Sequence, residues 1–196
     1  MLILCVCYTK SMKLIFATGN QRKIQEATSV LAPLGIAFET QAVAADEIQH
    51  SDPAEITKAK AKAAFAALGE PVVVQDTSWS IPALGGFPGG YMKDVSAWFE
   101  AEDWLALMSR HEDRTIHCHE HVAYYDGSEL QHFETIYTGT MTTEARGRRD
   151  AAESFECITI LYGDKTMAEQ LAVGDIASAG EKPHHWATFG EWYAQR

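Results

Sequence analysis

The segment Phe16-Ala17-Thr18-Gly19-Asn20-Gln21-Arg22-Lys23 follows directly on Lys13-Leu14-Ile15, and this junction constrains the fold more than any other feature of the chain. A short buried strand ends at Ala17, Gly19 permits a tight turn, Asn20 caps a helix that starts at Gln21, and Lys23 falls in its first turn. The unbonded N–H groups of that turn point beyond the strand end, where they favour an anion, and Lys23 adds a mobile positive charge there. A lysine so early in a helix opposes the helix dipole, so stability alone does not account for it. The corner reads as a phosphate-binding site; an ordinary strand-to-helix turn with a surface lysine is the competing reading.

The remaining pattern is α/β. It predicts strands over 13–17, 36–43 and 71–75, with helices over 20–33 and 52–68 between them. Ser51-Asp52-Pro53 starts the second helix and Gly69 closes it. A shaped loop, Ala83-Leu84-Gly85-Gly86-Phe87-Pro88-Gly89-Gly90-Tyr91, leads to a helix over about 94–108, in which Trp98, Phe99, Trp104 and Leu105 recur at helical spacing and read as core. Two long strands, 114–125 and 129–140, meet at the hairpin signal Asp126-Gly127-Ser128. A strand near 155–162, a helix from Thr166 and an aromatic helix over 186–195 complete the order. The expected architecture is one α/β domain over 12–196: a mixed central sheet with flanking helices and an extended β-hairpin lobe, two-lobed, with a nucleotide-sized cleft between the lobes. Residues 1–11 read as an extension that lacks the basic start of a secretory signal, and no run reaches the length of a membrane span.

Charge narrows the partners. A formal net charge of −11 opposes binding to a nucleic-acid polymer, which requires many cations on one surface, but is compatible with a small polyanion held through a metal. Cys5, Cys7, Cys118 and Cys157 form neither a paired framework nor a C-x-x-C zinc motif, which suggests a reducing, cytoplasmic setting.

A second candidate site begins where Val72-Val73-Val74 deliver Gln75-Asp76-Thr77 to a strand end, the edge at which open α/β sheets bind ligands. If this strand lies beside 13–17, Asp76 approaches the Thr18–Lys23 corner. A carboxylate next to a phosphate is repulsive unless a divalent cation stands between them or the acid takes a proton from water, which points to Mg²⁺-assisted cleavage of a phosphoanhydride. Asp46 or Glu47 offers a second metal ligand; a turn-forming or capping role for Asp76 is the alternative. Of Lys58, Lys60 and Lys62, steps of about 200° allow at most one or two to face a cleft. His117, His119 and His121 share one strand face. Their spacing of about 6–7 Å suits surface chelation better than a closed tetrahedral site, so a solvent or dimer face is preferred.

Three features make the chain resemble the inosine triphosphate pyrophosphatases, the non-canonical purine nucleoside triphosphate pyrophosphatases. Thr18-Gly19-Asn20-Gln21-Arg22-Lys23 fits the family's Thr/Ser-x-Asn-x-x-Lys motif. Gln75-Asp76-Thr77 followed by Ala83-Leu84-Gly85-Gly86-Phe87-Pro88-Gly89-Gly90-Tyr91 is similar to its acid pair and Ala-Leu-Gly-Gly-x-Pro-Gly-x-Tyr loop. The order of Glu47, Glu55-Ile56, Lys60 and Lys165-Thr166-Met167-Ala168-Glu169 also agrees. The resemblance implies Mg²⁺-dependent hydrolysis of a nucleoside triphosphate to monophosphate and pyrophosphate by a homodimer. Thr18, Asn20 and Lys23 would hold the triphosphate with Lys60 and Thr77 beside them; Glu47 would be a metal ligand, and Asp76 a metal ligand or the base. The chain departs from the family at Gln75, where an acid is usual, and at Phe155-Glu156-Cys157-Ile158-Thr159 in place of Phe-Gly-Tyr/Trp-Asp-Pro. The terminal Ser-His-Arg is echoed only by Lys182-Pro183-His184-His185-Trp186. His184, His185 and Trp186 then read as a replacement base pocket, with Trp186 stacking, or as a packing cluster at a helix start. A modified, non-purine substrate and a catalytically weakened nucleotide-binding protein are the alternatives.

Overall fold

The computed structural model describes residues 13–44, 47–148, 153–173 and 184–196. The expected extension over 1–11, Asp46 and Lys182-Pro183 lie outside them.

Strand β1 (Ile15–Phe16) runs into helix α1 (Gln21–Leu31), and β2 (Glu39–Thr40) returns beside it. Helix α2 (Pro53–Leu68) precedes β3 (Val72–Ser80). The Asp52 side chain accepts from the Ala54 N–H at 2.9 Å to open α2, and Gly69 closes it at φ 69°. Both ends fall where the sequence puts them. A short β4 (Pro88–Gly89), helices α3 (Met92–Trp98) and α4 (Ala101–Leu107), and the long hairpin of β5 (Thr115–Tyr125) and β6 (Leu130–Met141) follow. The chain ends with β7 (Thr159–Ile160), α5 (Met167–Ala172) and α6 (His185–Tyr193). The sheet order is β2-β1-β3-β5-β6-β7 with β4 on β3; β1 is parallel to β2 and β3, and the other pairs are antiparallel.

Strand alternation divides the core. Leu14, Phe16, Val73 and Val122 pack under α1 and α6, while Ile15, Val72, Val74 and Ala123 pack under α2. A third cluster around Trp79, Trp104, Ile116, Met141 and Phe155 fills the far lobe. β3 and the hairpin run through both lobes, and the cleft opens where β1 stops.

Five expectations change. β3 does not end at Asp76 but continues through Ser80, because Thr77, Ser78 and Trp79 pair with β5. The single helix over 94–108 is two: Phe99 is extended, and the Glu100 and Asp103 side chains box the start of α4. This break rotates Trp98 into solvent (75% exposed), so it is not core, whereas Trp104 is wholly buried. The strand over 155–162 shrinks to β7 behind a 3-10 turn at Ser154–Cys157. Gly19 has no positive φ and sits 3.5 Å, by its would-be Cβ, from Ala42; its freedom is not used.

Candidate active site

The β1–α1 corner has the capped geometry its sequence implies. Asn20 Oδ1 accepts from the backbone N–H of Arg22 at 2.9 Å and Lys23 at 3.4 Å, and Thr18 Oγ1 accepts from Asn20 N–H at 3.1 Å. Because β1 is only two residues long and Phe16 registers with Val73, β3 runs on past it, and Gln75 to Thr77 border the corner. Lys23 Nζ donates to the Gln75 carbonyl oxygen at 3.2 Å. Lys23 thus joins the two motifs.

Asp76 emerges on the α2 face. Lys60 points to it while Lys58 turns outward to Glu55 at 2.9 Å, as the 200° step requires. Lys60 Nζ lies 2.8 Å from Glu47 and 3.8 Å from Asp76, and Lys93 Nζ lies 2.9 Å from Glu47. Hydrogen bonds from Lys60 and Lys93 hold the Glu47 carboxyl down at about 2. The glycine-rich loop sets this geometry. A Cβ on Gly90 would overlap the His50 carbonyl oxygen, so only glycine lets the loop close on the 47–50 segment.

The opposite face of β3 carries a buried polar network absent from the expectations. Gln75 is 4% exposed. Its Nε2 lies 2.9 Å from Glu120 Oε2 and 2.9 Å from His185 Nε2, and its Oε1 accepts from the Trp186 indole N–H at 3.3 Å. Thr77 Oγ1 donates to both Glu120 oxygens at 3.0 and 3.1 Å. Tyr137 OH is 3.2 Å from His185 Nδ1 and accepts the His185 backbone N–H at 3.0 Å. Burial pushes Glu120 up and holds His185 down near 3. Gln75 Oε1 is therefore occupied by Trp186, on the face of β3 opposite to Asp76.

A cleft of about 500 Å³ joins these faces. Asn20, Lys23, Glu47, Lys60, Asp76 and Thr77 line one end, and His184 and His185 line the other beside Trp79, Tyr137, Phe155 and Tyr162. Thr18 supports Asn20 from behind. Trp186 is wholly buried, edge-on to Phe16 at 4.9 Å and to Phe189 at 5.6 Å. It packs rather than lining the cleft. His184 caps α6 by accepting from Trp186 N–H at 3.3 Å.

Sequence reasoning passed over several cleft residues: Arg22, Glu26, Lys93, Glu120 and Glu156. Arg22 Nη1 bonds Glu156 Oε1 at 3.0 Å, tying the motif helix to the late 3-10 turn. A signal for Glu120 existed. It interrupts the apolar series Cys118, Val122 and Tyr124 on the inward face of β5, where a charge needs a partner.

The sequence profile of the Ham1 family matches residues 14–172. A dITP/XTP pyrophosphatase of Methanopyrus kandleri is 31% identical over 183 residues, 93% of this chain and 96% of the relative. One from Pyrobaculum aerophilum is 34% identical over 187 residues, 94% and 98% of the two. Among solved structures, a HAM1 protein from Coxiella burnetii superposes with a TM-score of 0.75 at 20% identity, covering 94% of this chain and all of that one. The Ham1 protein of Staphylococcus aureus gives 0.69 at 18% identity, covering 93% and 98%. These two superpositions carry the mixed α/β fold.

Proposed function

The chain belongs to the Ham1 family and is a nucleoside triphosphate pyrophosphatase, and from this premise we propose that it hydrolyses a non-canonical nucleoside triphosphate to the monophosphate and pyrophosphate with Mg²⁺. One observation carries the reading: a single ammonium, Lys60 Nζ, lies between the Glu47 and Asp76 carboxylates, beside the capped N-terminus that holds Lys23. Two oxygen ligands already arranged around a cation fit a hard divalent ion. Glu47 and Asp76 would hold Mg²⁺, which would polarise the anhydride and offset the charge that develops on it.

The chain's own groups do the rest. The α1 N-terminus, through its dipole, and Lys23 attract the phosphate oxygens, with Asn20 fixing the turn by holding the Arg22 and Lys23 N–H groups, Thr18 buttressing it, and Thr77 closing the floor. Asp76 accepts the proton of the attacking water as its oxygen bonds to the α-phosphorus and the bond to pyrophosphate breaks. The base is assigned to the far end, between apolar walls and a polar floor of Glu120 and the Arg22–Glu156 pair. Carboxylates accept hydrogen bonds, so this floor favours a base that presents N–H donors. His184 and His185 border that end. A homodimer and a cytoplasmic setting belong to the same reading, the first by family resemblance and the second by cysteine usage. Among the described residues no helix is long and apolar enough to cross a membrane.

The test is product analysis with Mg²⁺ across canonical, deaminated and modified nucleoside triphosphates, measuring pyrophosphate and orthophosphate separately. Pyrophosphate release should fall at least about 100-fold in Asp76→Asn, the lower range for a positioned base. Orthophosphate as product, or nucleotide binding without turnover on any substrate, would overturn it in favour of another cleavage or of a binding protein.

A further inference from the structure

Half of the chain's eight histidines, His117, His119, His121 and His132, lie on one face of the β5–β6 hairpin. Along β5 alone they are too far apart to close around one ion. The neighbouring strand changes this. Glu134 stands directly opposite His121 and His132 opposite Ala123, so β6 places two more donors on that face. His119 Nδ1 lies 2.8 Å from Glu134 Oε1, and His121 Nδ1 lies 3.1 Å from His132 Nε2. One donor atom from each of His119, His121 and Glu134 falls within 4.8 Å of the others. Two ligands of a tetrahedral zinc sit about 3.3 Å apart, given bonds of about 2.0–2.1 Å, so side-chain adjustments of roughly 1 Å close the set.

The second ring nitrogens give an independent reason. A metal-bound histidine normally has its other nitrogen held by an outer partner that fixes the ring. Here β3 supplies those partners: Ser80 Oγ is 2.8 Å from His119 Nε2, and Ser78 Oγ is 3.4 Å from His121 Nε2. A hydroxyl both donates and accepts, so each serine serves the ring before and after its Nδ1 proton is displaced. The rings of His119 and His121 are stacked 7° from parallel, with both Nδ1 atoms in contact with β6 donors. His117 is outside this arrangement, bonded by Nδ1 to Thr138 at 3.2 Å.

We propose that His119, His121, His132 and Glu134 bind one transition-metal dication of the zinc class. Three imidazoles and one carboxylate suit Zn²⁺, Co²⁺, Ni²⁺ or Cu²⁺, whereas the oxygen pair Glu47 and Asp76 suits Mg²⁺. Asp76 faces His121 across the β3–β5 register, so the sites adjoin but draw on different donors.

The test uses untagged full-length protein, stripped with chelator, given one equivalent of Zn²⁺ without nucleotide, desalted and assayed for metal. Affinity is measured against a chromophoric chelator, and Co²⁺ absorption reports coordination number. One zinc per chain is expected, with intense four-coordinate Co²⁺ bands. Glu134→Gln, a change at an exposed side chain, and His119→Ala should each weaken zinc at least about tenfold. His117→Ala and Asp76→Asn should leave it unchanged. Failure to retain zinc overturns the proposal. So does an equal loss in His117→Ala, which would mark diffuse surface chelation, or a loss in Asp76→Asn, which would place the ion at the catalytic carboxylates.

Discussion

The substitution Gln75→Glu, which would restore the acid usual in the family, should damage this protein rather than improve it. In the structure the side-chain nitrogen at 75 lies 2.9 Å from Glu120. A carboxylate there replaces a donor–acceptor bond by two like charges. At about 4 Å and an effective dielectric constant of about 20 their repulsion is about 4 kcal/mol. Glu120 borders the cleft, so solvent reduces this to roughly 2–4 kcal/mol. The pair relieves itself by sharing a proton, which raises one carboxyl well above its unfolded value of about 4.3. The folded state then binds more protons than the unfolded state between those two values, so stability falls as pH rises through that window. Most of the penalty should be absent near pH 5 and fully present near pH 8.

Urea denaturation of the wild type, Gln75→Glu and the double variant Gln75→Glu/Glu120→Gln at those two pH values checks each step. The double variant moves the charge without doubling it, and the amide oxygen it places at position 120 can still accept from Thr77. It should recover all but about 1 kcal/mol at pH 8. A single variant as stable as wild type at pH 8, or a double variant no better than the single, would refute the coupling between 75 and 120.

Lys60→Met should lower kcat/KM about 10- to 100-fold, the worth of one charge-assisted hydrogen bond, while the neighbouring Lys58→Met stays within about twofold; steady-state kinetics at fixed Mg²⁺ compares them. Equal effects would mean that helix charge, not position, matters. Glu47, held down near 2, is ionised throughout the working range, so the stability it adds is present above about pH 4.3 and lost as pH falls towards 2. Of its partners Lys93 is largely solvated and Lys60 partly so, so Glu47→Gln should cost about 1 kcal/mol at pH 7 in a urea titration and raise the Mg²⁺ concentration needed for half-maximal rate. A loss above about 2 kcal/mol would make Glu47 a structural rather than a metal-facing residue.

What could be read in advance was local. The Asn20 cap, the Asp52-Pro53 start, the Gly69 stop and the Asp-Gly hairpin each place their determinants within a few residues, and all stand where the sequence sets them. The extension of β3 past Asp76 was also inscribed, in β-forming Thr77 and Trp79 with no glycine, proline or asparagine over 77–80. Trp98 was misplaced because periodicity assumes an unbroken helix, and the Glu100–Asp103 cap interrupts it. The network of Gln75, Glu120, His185 and Trp186 spans up to 111 positions. It depends on β3–β5 register and on where α6 docks, and no local pattern encodes either. The histidine cluster was half legible for the same reason: one strand showed three ligands, and the pairing supplied the rest.

The cleft's charge explains why so acidic a chain can bind a polyanion. Four cationic side chains, Arg22, Lys23, Lys60 and Lys93, line it against six carboxylates, Glu26, Glu47, Asp76, Glu120, Glu153 and Glu156. The cations are divided unequally in purpose. Arg22 is engaged by Glu156, and Lys60 and Lys93 by Glu47, whereas Lys23 donates to the neutral Gln75 carbonyl and meets Glu26, Glu120 and Glu153 through space. Burial raises the carboxyls of Glu26, Glu120 and Glu153 above their ordinary range. Even so, a free triphosphate would meet the Glu47 and Asp76 carboxylates, with Lys60 and Lys93 already engaged by them. A triphosphate carrying its divalent cation presents positive charge to those two acids and can release Lys60 and Lys93 to the phosphate oxygens. On the proposed reading the acids would then be a selection device as well as ligands: they would admit the metal complex and oppose the bare nucleotide.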